Sequence, residues 1–424
     1  MGGCGTGKDP TSDDAMLNDC DPVIHGPVDY ILVGGGLQSG LMALAITHHQ
    51  PQARWILIEQ QPRIAGNHTW SFHATDLSEE CASWADPLVE SRWPNYQVRI
   101  GGRVRTIEIP YCTCSSSHFE KVVLSTTRAD HRRIVTRTEV AHIDQQAVTL
   151  SDGTRWSASV VIDNRGPVPF QQSEFEGGFQ KFWGFELELK SDWPHTTPIV
   201  MDDQIDQQDG FRFIYSLPMD RRRVLVEDTR FSNSCLIDRE ECLEKVRKHV
   251  ISQGCHDWRI LREEHGVLPM PIRGALPGNG LPMLAGGYRG GWFHAATGYS
   301  FPMALRVAHT VATHRADELP NGLLRLSREQ MGRALFARFL NRLLFELVKP
   351  QKRYQIFQRF YRVLDKAAIA RFYGHRFTAF DAFRIVVGIP PMGLQPLQFF
   401  RSYTRCPSRG IVTPTSTQPI EVPG

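Results

Sequence analysis

The feature that most constrains this chain is a glycine-rich turn near residue 35, set between two short apolar runs. The first run, Tyr30–Val33, leads directly into three glycines, Gly34, Gly35 and Gly36. An apolar helix-like segment follows, and then a second run, Trp55–Ile58, ends in Glu59. This order of strand, tight turn, helix and strand with a terminal acid predicts the βαβ unit that binds dinucleotides.

Each part of this unit has a physical role toward a dinucleotide. The glycines allow a sharp turn and a close approach to a pyrophosphate, and the helix N-terminus offers free N–H groups. Glu59, 23 residues after Gly36, is placed for a ribose hydroxyl. Ser39 replaces the third glycine of the usual pattern, and it is small enough for close helix–strand packing. The predicted cofactor-binding residues are therefore Gly34, Gly35, Gly36, Ser39 and Glu59.

A second glycine-rich helix start lies late in the chain. The segment Trp292–Leu305 contains Ser300 as a plausible N-cap and Pro302 in the first helical turn. Antiparallel strand-like runs over 179–231 precede it and indicate an inserted sheet. These patterns predict an α/β flavoprotein of the glutathione-reductase type, with a discontinuous, Rossmann-like dinucleotide-binding domain. At the late helix start we expect three flavin contacts, Gly286, Thr297 and Gly298.

Composition and patterning predict five regions. We expect residues 239–253 to form a surface helix, and residues 95–150 to alternate short β-rich runs with turns. The predicted regions are a disordered leader at 1–28, an FAD-binding domain at 29–90, 130–170 and 280–330, a substrate domain with an antiparallel sheet at 91–129 and 171–279, a helical region at 331–405 and a frayed tail at 406–424.

The helical region at 331–405 is strongly basic and aromatic. It holds 14 Lys/Arg against three acidic residues, a balance of +11, and 15 aromatic residues, whereas the whole chain carries a net charge of only +3. Arg338 and Arg342 lie one helical turn apart. A basic amphipathic helix with an aromatic face suits an anionic membrane surface. A helical subdomain with a solvated basic face is the alternative, and a nucleic-acid patch has no accompanying fold motif.

The composition, 41% hydrophobic and 22% charged, is that of a globular protein with no transmembrane segment. Residues 1–28 lack the apolar core of a secretory signal. The nine cysteines are scattered and form no Cys-x-x-Cys pair, so a reducing cytosol is the compartment we expect. No spacing typical of metal ligands occurs, and we predict no metal site.

An acidic pair follows an apolar strand and is the main candidate for acid/base chemistry. Glu227 and Asp228 come directly after Val224–Val226, where apolar walls would raise a carboxyl pKa and suit a general acid. Adjacent strand residues point to opposite faces, so only one of the two can face a given pocket. A strand-end salt bridge is the alternative interpretation.

Histidine and aromatic residues provide further candidates. The histidines could act as acids or bases, or serve as hydrogen-bonded structural residues: His68, His73 and His294. The aromatic residues could line an apolar tunnel or belong to the core: Trp70, Phe72, Tyr215, Trp292, Phe293 and Tyr299.

Several longer segments resemble the bacterial lycopene beta-cyclases, from about residue 28 to residue 400. The matching segments are the glycine turn at 34–40, Gly66–His73, Trp93–Val98, Met201-Asp202, Asp209–Pro218, Leu225–Thr229, His294–Ser300, Arg371–Tyr373 and Pro390-Pro391. Asn164 departs from the family pattern, which often has Asp-Gly-Arg-Gly at that strand end, and residues 1–28 have no counterpart.

This resemblance implies an enzyme that closes β-ionone rings on lycopene and related linear carotenes without net oxidation. It implies reduced FAD as a non-redox partner, kept reduced by NAD(P)H, and acid/base roles for the motif that matches Glu227 and Asp228. Because a C40 hydrocarbon resides in the bilayer, we expect a peripheral protein on the cytoplasmic face of the membrane. Association with other carotenoid-pathway enzymes is compatible with that location.

Two other functions are consistent with the same motifs. One is a redox flavoenzyme, a hydroxylase or a reductase that acts on an isoprenoid. The other is a carotenoid-binding flavoprotein without catalysis. The mass of the product separates the first from a cyclase, and turnover of lycopene under anaerobic reducing conditions separates the second.

Overall fold

A computed structural model of the chain describes residues 28–166, 176–273 and 284–387. The predicted tail, the predicted leader except for its last residue, and the part of the 331–405 region after residue 387 lie outside the described residues. Within the three described ranges, no helix is both long enough and apolar enough to cross a membrane.

Strands dominate the first two described ranges and helices the third. The strands are β1 (Val28–Val33), β2 (Trp55–Ile58), β3 (Thr69–His73), β4 (Ser91–Trp93), β5 (Tyr96–Ile100), β6 (Arg103–Ile107), β7 (Tyr111–Ser115), β8 (Arg132–Val135), β9 (Val140–Ile143), β10 (Ala147–Leu150), β11 (Arg155–Asp163), β12 (Glu176–Leu189), β13 (Ile199–Asp202), β14 (Phe211–Pro218), β15 (Arg223–Ser232), β16 (Trp258–Arg273) and β17 (Leu284–Ala285). The helices are α1 (Leu37–His49), α2 (Glu79–Ala85), α3 (Ser116–Thr127), α4 (Arg239–Ser252), α5 (Phe301–Thr313), α6 (Leu319–Arg342), α7 (Tyr354–Val363), α8 (Lys366–Tyr373) and α9 (Ala379–Val386).

One sheet contains the predicted dinucleotide unit. Its strand order is β8-β2-β1-β11-β10-β9, with β17 added beside β11, and β1 is parallel to both β2 and β11. The strands β12 to β16, which intervene between β11 and β17 in the chain, form no part of it. The predicted α/β fold with a discontinuous dinucleotide-binding domain is therefore confirmed.

The second sheet has the order β16-β12-β15-β14-β13-β5-β6. Its neighbours β12, β15 and β14 are antiparallel, as the runs over 179–231 predict. The predicted surface helix, α4, packs against β12 and β15 on one face of the sheet. A three-stranded sheet, β3-β7-β4, is formed by strands that precede and follow β5 and β6 in the chain, and it contributes to the core around α1.

Residues 95–150 include a helix, which corrects the prediction of strands and turns alone. Helix α3 begins after Ser115, whose hydroxyl accepts a hydrogen bond from the N–H of His118 as an N-cap. Its buried side chains, Phe119 and Val123, pack on α1, where Gly40 leaves room for the Phe119 ring. This amphipathic helix falls in the predicted substrate domain, yet it belongs to the core around the dinucleotide unit.

The aromatic side chains of the C-terminal helices point mostly inward. Phe345, Phe360, Tyr361 and Phe372 are buried in a core shared with the second sheet. These four cannot contact a bilayer, which corrects the expectation that the aromatic residues of 331–405 together form a docking surface. The exposed large apolar side chains from residue 331 onward in the described chain are Leu335, Phe339, Phe380, Phe383, Val386 and Val387.

Candidate active site

A large cavity connects the dinucleotide unit, the second sheet and the C-terminal helices. Its lining runs from Gly34 through Tyr215 and Glu227 to Phe339 and Ile385. The volume of about 1020 Å³ is at the upper end of the roughly 300–1,000 Å³ typical of small-molecule sites. The cavity thus has room for an extended ligand beside a second, apolar one.

The glycine turn forms one end of this cavity. Gly34 has φ +95°, a left-handed conformation that favours glycine, and a Cβ there would lie 2.9 Å from the carbonyl oxygen of Asn164. Gly36 lies directly before α1, and a Cβ there would meet no atom within 4 Å. Both glycines line the cavity, so the backbone at the α1 N-terminus is open to an anionic group.

Glu59 lies at the end of β2 and lines the same part of the cavity. Its carboxylate accepts hydrogen bonds from the N–H of Gly35 at 2.5 Å and from the N–H of Gln61 at 2.8 Å. These bonds hold the acid against the glycine turn. The arrangement fits the extended dinucleotide expected from the sequence, with its pyrophosphate at the turn and its ribose at Glu59.

Three of the predicted cofactor residues do not line the cavity. Gly35 is occupied by its bond to Glu59, and Ser39 is fully buried, where its hydroxyl accepts a bond from the Asn164 amide at 2.8 Å. Gly286 packs against the same Asn164 side chain, where a Cβ would clash. Ser39 and Gly286 therefore let α1, β11 and β17 approach one another, which is the packing role that a small residue provides.

The late helix start does reach the cavity. Thr297 and Gly298 line it just before α5, and Gly298 has φ +67°. The hydroxyl of Tyr288 donates to the carbonyl oxygen of Gly298 and fixes this loop. Ser300 occupies the N-cap position and Pro302 lies in the first turn, as predicted, although the Ser300 hydroxyl makes no capping bond.

Glu227 faces the cavity from the middle of β15. Its cross-strand neighbours are Gly184 of β12 and Tyr215 of β14. Burial raises the pKa of the Glu227 carboxyl well above its usual range, and the nearby carboxyl of Glu264 raises it further. Burial and the neighbouring Glu264 carboxyl thus favour the protonated form of Glu227, in a cavity whose other lining is largely aromatic and aliphatic. That is the state required of a general acid.

Asp228 points to the opposite face of the sheet. It is fully buried, and its carboxylate accepts from the guanidinium groups of Arg212, at 2.8 Å to Nε, and Arg230, at 3.3 Å. Glu241 of α4 completes this ion-pair cluster. Asp228 does not line the cavity, because adjacent residues of a strand point to opposite faces of the sheet. The expectation that Asp228 shares the proton chemistry is therefore corrected to a structural role in the ion-pair cluster.

The three candidate histidines are neutral bases rather than acids. Burial lowers the pKa of His73 to about 4 and that of His294 to about 3, and it also lowers the pKa of His68. His68 and His73 line the cavity, whereas His294 packs against Phe372 and His375 outside it. His294 is thus not placed to replace Glu227 as the acid.

A set of tyrosines surrounds Glu227, and sequence reasoning identified only part of it. The hydroxyl oxygens of Tyr215 and Ser71 are hydrogen-bonded at 2.6 Å, and the Tyr215 hydroxyl lies 3.3 Å from that of Tyr111. Of the predicted tunnel residues, Trp70, Tyr215 and Tyr299 line the cavity, while Phe72 and Trp292 lie in the core. Other aromatic residues of the lining are Tyr96, Tyr111, Tyr373, Phe360 and Phe372.

Comparison with known proteins decides the family. The chain matches the lycopene cyclase protein family over residues 29–398. It is 37% identical to the lycopene beta-cyclase of Pantoea ananas over 369 residues, which is 86% of this chain and 95% of that protein. The chain belongs to the lycopene cyclase family. The lycopene beta-cyclase of Pseudescherichia vulneris, at 35% identity, is covered to the same extent.

Solved structures place this family member among the flavoproteins by fold. A geranylgeranyl bacteriochlorophyll reductase-like protein from Thermoplasma acidophilum aligns over 85% of this chain and 96% of its own, with TM-score 0.54 and 12% identity. The FAD-dependent monooxygenase-like pqsL of Pseudomonas aeruginosa aligns over 78% and 99%, with TM-score 0.54 and 13% identity. At these identities the likeness concerns the fold alone.

The sequence of this cyclase-family chain gave no indication of a second carboxyl beside Glu227. Glu264 of β16 lines the cavity, is almost fully buried and lies beside Glu227. Nothing in its local sequence, Arg262-Glu-Glu-His265, distinguishes it from a surface segment. In the described part of the chain, no group of three or more His, Cys, Asp or Glu side chains could hold a metal ion.

Proposed function

We propose that this chain is a lycopene beta-cyclase that converts the ψ-ends of lycopene to β-ionone rings and yields beta-carotene by way of gamma-carotene. The reaction is an isomerisation of the intramolecular lyase type, without net redox change. The observation that carries this proposal is a buried carboxyl, Glu227, whose raised pKa favours the protonated form, among aromatic side chains in a cavity that also reaches the dinucleotide turn.

Glu227 would perform both proton transfers. Its carboxyl delivers a proton to the terminal double bond of the ψ-end, which leaves a tertiary carbocation and the Glu227 carboxylate. The neighbouring double bond attacks the cation and closes the ring, and loss of a ring proton to the carboxylate forms the new double bond. One proton enters and one leaves, so the mass of the carotene is unchanged.

The tyrosines would protect and stabilise the cation. Aromatic faces attract a cation electrostatically, and Tyr111, Tyr215 and Tyr299 all line the cavity. The hydroxyl of Tyr215 bonds to those of Tyr111 and Ser71, which holds these side chains in place beside the cavity. The aromatic and aliphatic side chains that line the cavity would also limit the entry of the water that quenches such an intermediate.

The chain's own residues fit an FAD. Gly34, Gly36 and Glu59 would hold its adenosine and pyrophosphate, and Thr297 and Gly298 would lie along the rest of the cofactor. When bound in its reduced, anionic form, with NAD(P)H as the reductant, FAD supplies an electron-rich neighbour for a carbocation. The aromatic and aliphatic residues that line the cavity would hold the ψ-end beside Glu227.

The membrane location is supported by a smaller surface than the sequence suggested. We define the docking face as Leu335 and Phe339 of α6 with Phe380, Phe383 and Val386 of α9, all exposed. Phe339 and Val386 also line the cavity, so the cavity reaches the surface on this face. A carotene could then pass from the bilayer to Glu227 without crossing water. Binding at the cytoplasmic face of the membrane follows from this proposal.

The positive charge of the helical region also favours binding to an anionic membrane surface. Its three acidic residues each pair with an arginine of the region, in the pairs Arg342–Glu346, Arg371–Asp381 and Arg384–Asp365. The remaining basic residues leave the region positive. Each basic residue near an anionic leaflet contributes about 1 kcal/mol of attraction.

We expect the double variant Phe380→Ser/Phe383→Ser to lose most of its binding to anionic vesicles. A fully buried Phe contributes about 1.5–3 kcal/mol, so removing two would reduce partitioning by at least tenfold. Co-sedimentation with vesicles of mixed anionic and neutral phospholipid measures the bound fraction. Leu124→Ser, at an exposed apolar position of α3, is the matched control. Equal binding by both variants would contradict the docking face.

The function itself is tested by expression in a bacterium that accumulates lycopene, followed by chromatography and mass analysis of the pigments. We expect beta-carotene as the product and gamma-carotene as the intermediate. Both should have the same mass as lycopene. An oxygenated or hydrogenated product would instead identify an FAD-dependent hydroxylase or reductase. Unchanged lycopene with flavin-loaded, folded protein would identify a carotenoid-binding flavoprotein.

A further inference from the structure

We propose that Glu264 is a positioning residue that shares one proton with Glu227 and keeps Glu227 as the protonated member of the pair. The inference rests on the proposed role of Glu227 as the acid. It concerns a residue of the second sheet that lies 37 positions further along the chain.

Strand register brings the two carboxyls together. Glu227 of β15 and Glu264 of β16 are both cross-strand neighbours of Gly184 in the central strand β12. Strands two places apart in a sheet are separated by about 10 Å, a gap that two long side chains can close only if nothing stands between them. Gly184 leaves that space empty, since a Cβ there would lie 2.7 Å from the Cγ of Glu227.

The two carboxyls differ in their other partners. Glu264 receives bonds from the guanidinium of Arg262 at 2.5 Å and from the hydroxyl of Thr69 at 2.8 Å. Arg262 is held in place by Glu186 at 3.0 Å. Among the described residues, no ion pair joins Glu227 to a cation, whereas Glu264 pairs with Arg262. Two adjacent buried carboxylates cannot both be ionised at low cost. The negative charge therefore resides on Glu264, and the proton on Glu227.

This arrangement has a consequence for both halves of the proton cycle. After Glu227 gives its proton to the carotene, two carboxylates face each other, and their repulsion makes Glu227 a stronger base. The ring proton then moves to the Glu227 carboxylate, and the pair ends the turnover with one proton, as it began. No oxidant or reductant takes part in this exchange.

The test removes the charge of Glu264 and follows the pH dependence. The titratable and charged groups that face Glu227 come from four elements: Glu264 and Arg262 of β16, Tyr215 of β14, Tyr111 of β7 and His68 of the loop before β3. Glu264→Gln keeps the shape and the hydrogen bonds but removes the repulsion, so the pKa of Glu227 should fall. The acid is active only when protonated. As the pH rises, the variant would therefore lose activity at a lower pH than the wild type does.

We expect the alkaline limb of the cyclase pH profile of Glu264→Gln to move down by about 1–3 pH units, the size of a shift caused by one adjacent charge. Glu264→Asp should restore much of the wild-type profile. The matched control is Glu263→Gln, since Glu263 is the adjacent residue of β16 but pairs with Arg239 and Trp183 on the other face of the sheet. Its profile should not move.

A second readout does not depend on turnover. The infrared band of a protonated carboxyl, assigned to Glu227 by its absence in Glu227→Gln, should titrate at lower pH in folded Glu264→Gln than in the wild type. An unmoved band and an unmoved pH profile would overturn the shared proton. If the band moves while the wild-type protein makes no β-rings, the pair is retained and only the proposed function fails.

Discussion

Glu227→Gln should abolish ring closure while leaving the protein folded and loaded with flavin. The buried surroundings of Glu227 favour its protonated form, so the amide replaces a neutral group with another of the same shape and can donate to Glu264 as the acid does. It cannot, however, deliver a proton of useful acidity. Loss of a general acid typically costs about 10²–10⁴-fold in rate. Pigment analysis in lycopene-accumulating cells and turnover in vesicles measure the loss.

Asp228→Asn is the informative comparison because it changes the adjacent residue on the other face. Removing this charge leaves Glu241 as the remaining carboxylate shared by the buried Arg212 and Arg230, and loss of one partner from a buried ion pair costs up to about 3–5 kcal/mol of folding free energy. We expect a lower urea midpoint, with the pH profile of the remaining folded enzyme unchanged. Near wild-type cyclisation by Glu227→Gln would refute its assignment as the acid, and His294, which does not line the cavity, could not take its place.

Gly36→Leu should yield folded protein with little or no bound FAD. The φ of Gly36 is −75°, which any residue can adopt, and a Cβ at this position meets no protein atom within 4 Å. The leucine would therefore occupy the cavity at the place assigned to the pyrophosphate. Overpacking a filled site costs about 1–3 kcal/mol, a loss of about 5- to 150-fold in affinity.

The measurement is the visible flavin absorbance per mole of purified protein, with the urea midpoint as a check on folding. Gly332→Leu is the matched control, since Gly332 is an exposed position of α6 where a Cβ also meets nothing within 4 Å. That variant should retain its flavin. Full flavin occupancy in Gly36→Leu would mean that the cofactor does not pass over the α1 N-terminus, and the proposed binding mode would have to be abandoned.

Local order along the chain was sufficient to predict the dinucleotide unit. The runs at 30–33 and 55–58, the glycines between them and the late start of α5 all occur where the sequence places them. These elements are recognisable because strand, turn and helix signals act over a few residues and reinforce one another. The helix α3 was not predicted because its apolar residues Phe119 and Val123 pack against Gly40 of α1, which lies about 80 residues earlier in the chain. Such a distant contact leaves no local signal in the sequence.

The active site likewise has features that the local sequence predicted and features that depend on distant contacts. That only one of Glu227 and Asp228 could face a pocket followed from the two-residue period of a strand, and the family resemblance pointed to this pair. Which of the two faces the cavity was decided by the sheet, because Arg212 and Arg230 hold Asp228 on the other face. The tyrosines around Glu227 come from separate elements, so no spacing in the chain relates them.

The sequence by itself thus determined a flavoprotein fold, a family and an acidic motif, since each depends on residues that are close in the chain. Only the tertiary structure decided that Glu264 is the neighbour of Glu227, because strand order places them on either side of Gly184. It also decided that most aromatic residues of the C-terminal helices are core rather than surface. Burial and cross-strand proximity are properties of the packed chain, and they set both the charge of the acid and the surface left for a membrane.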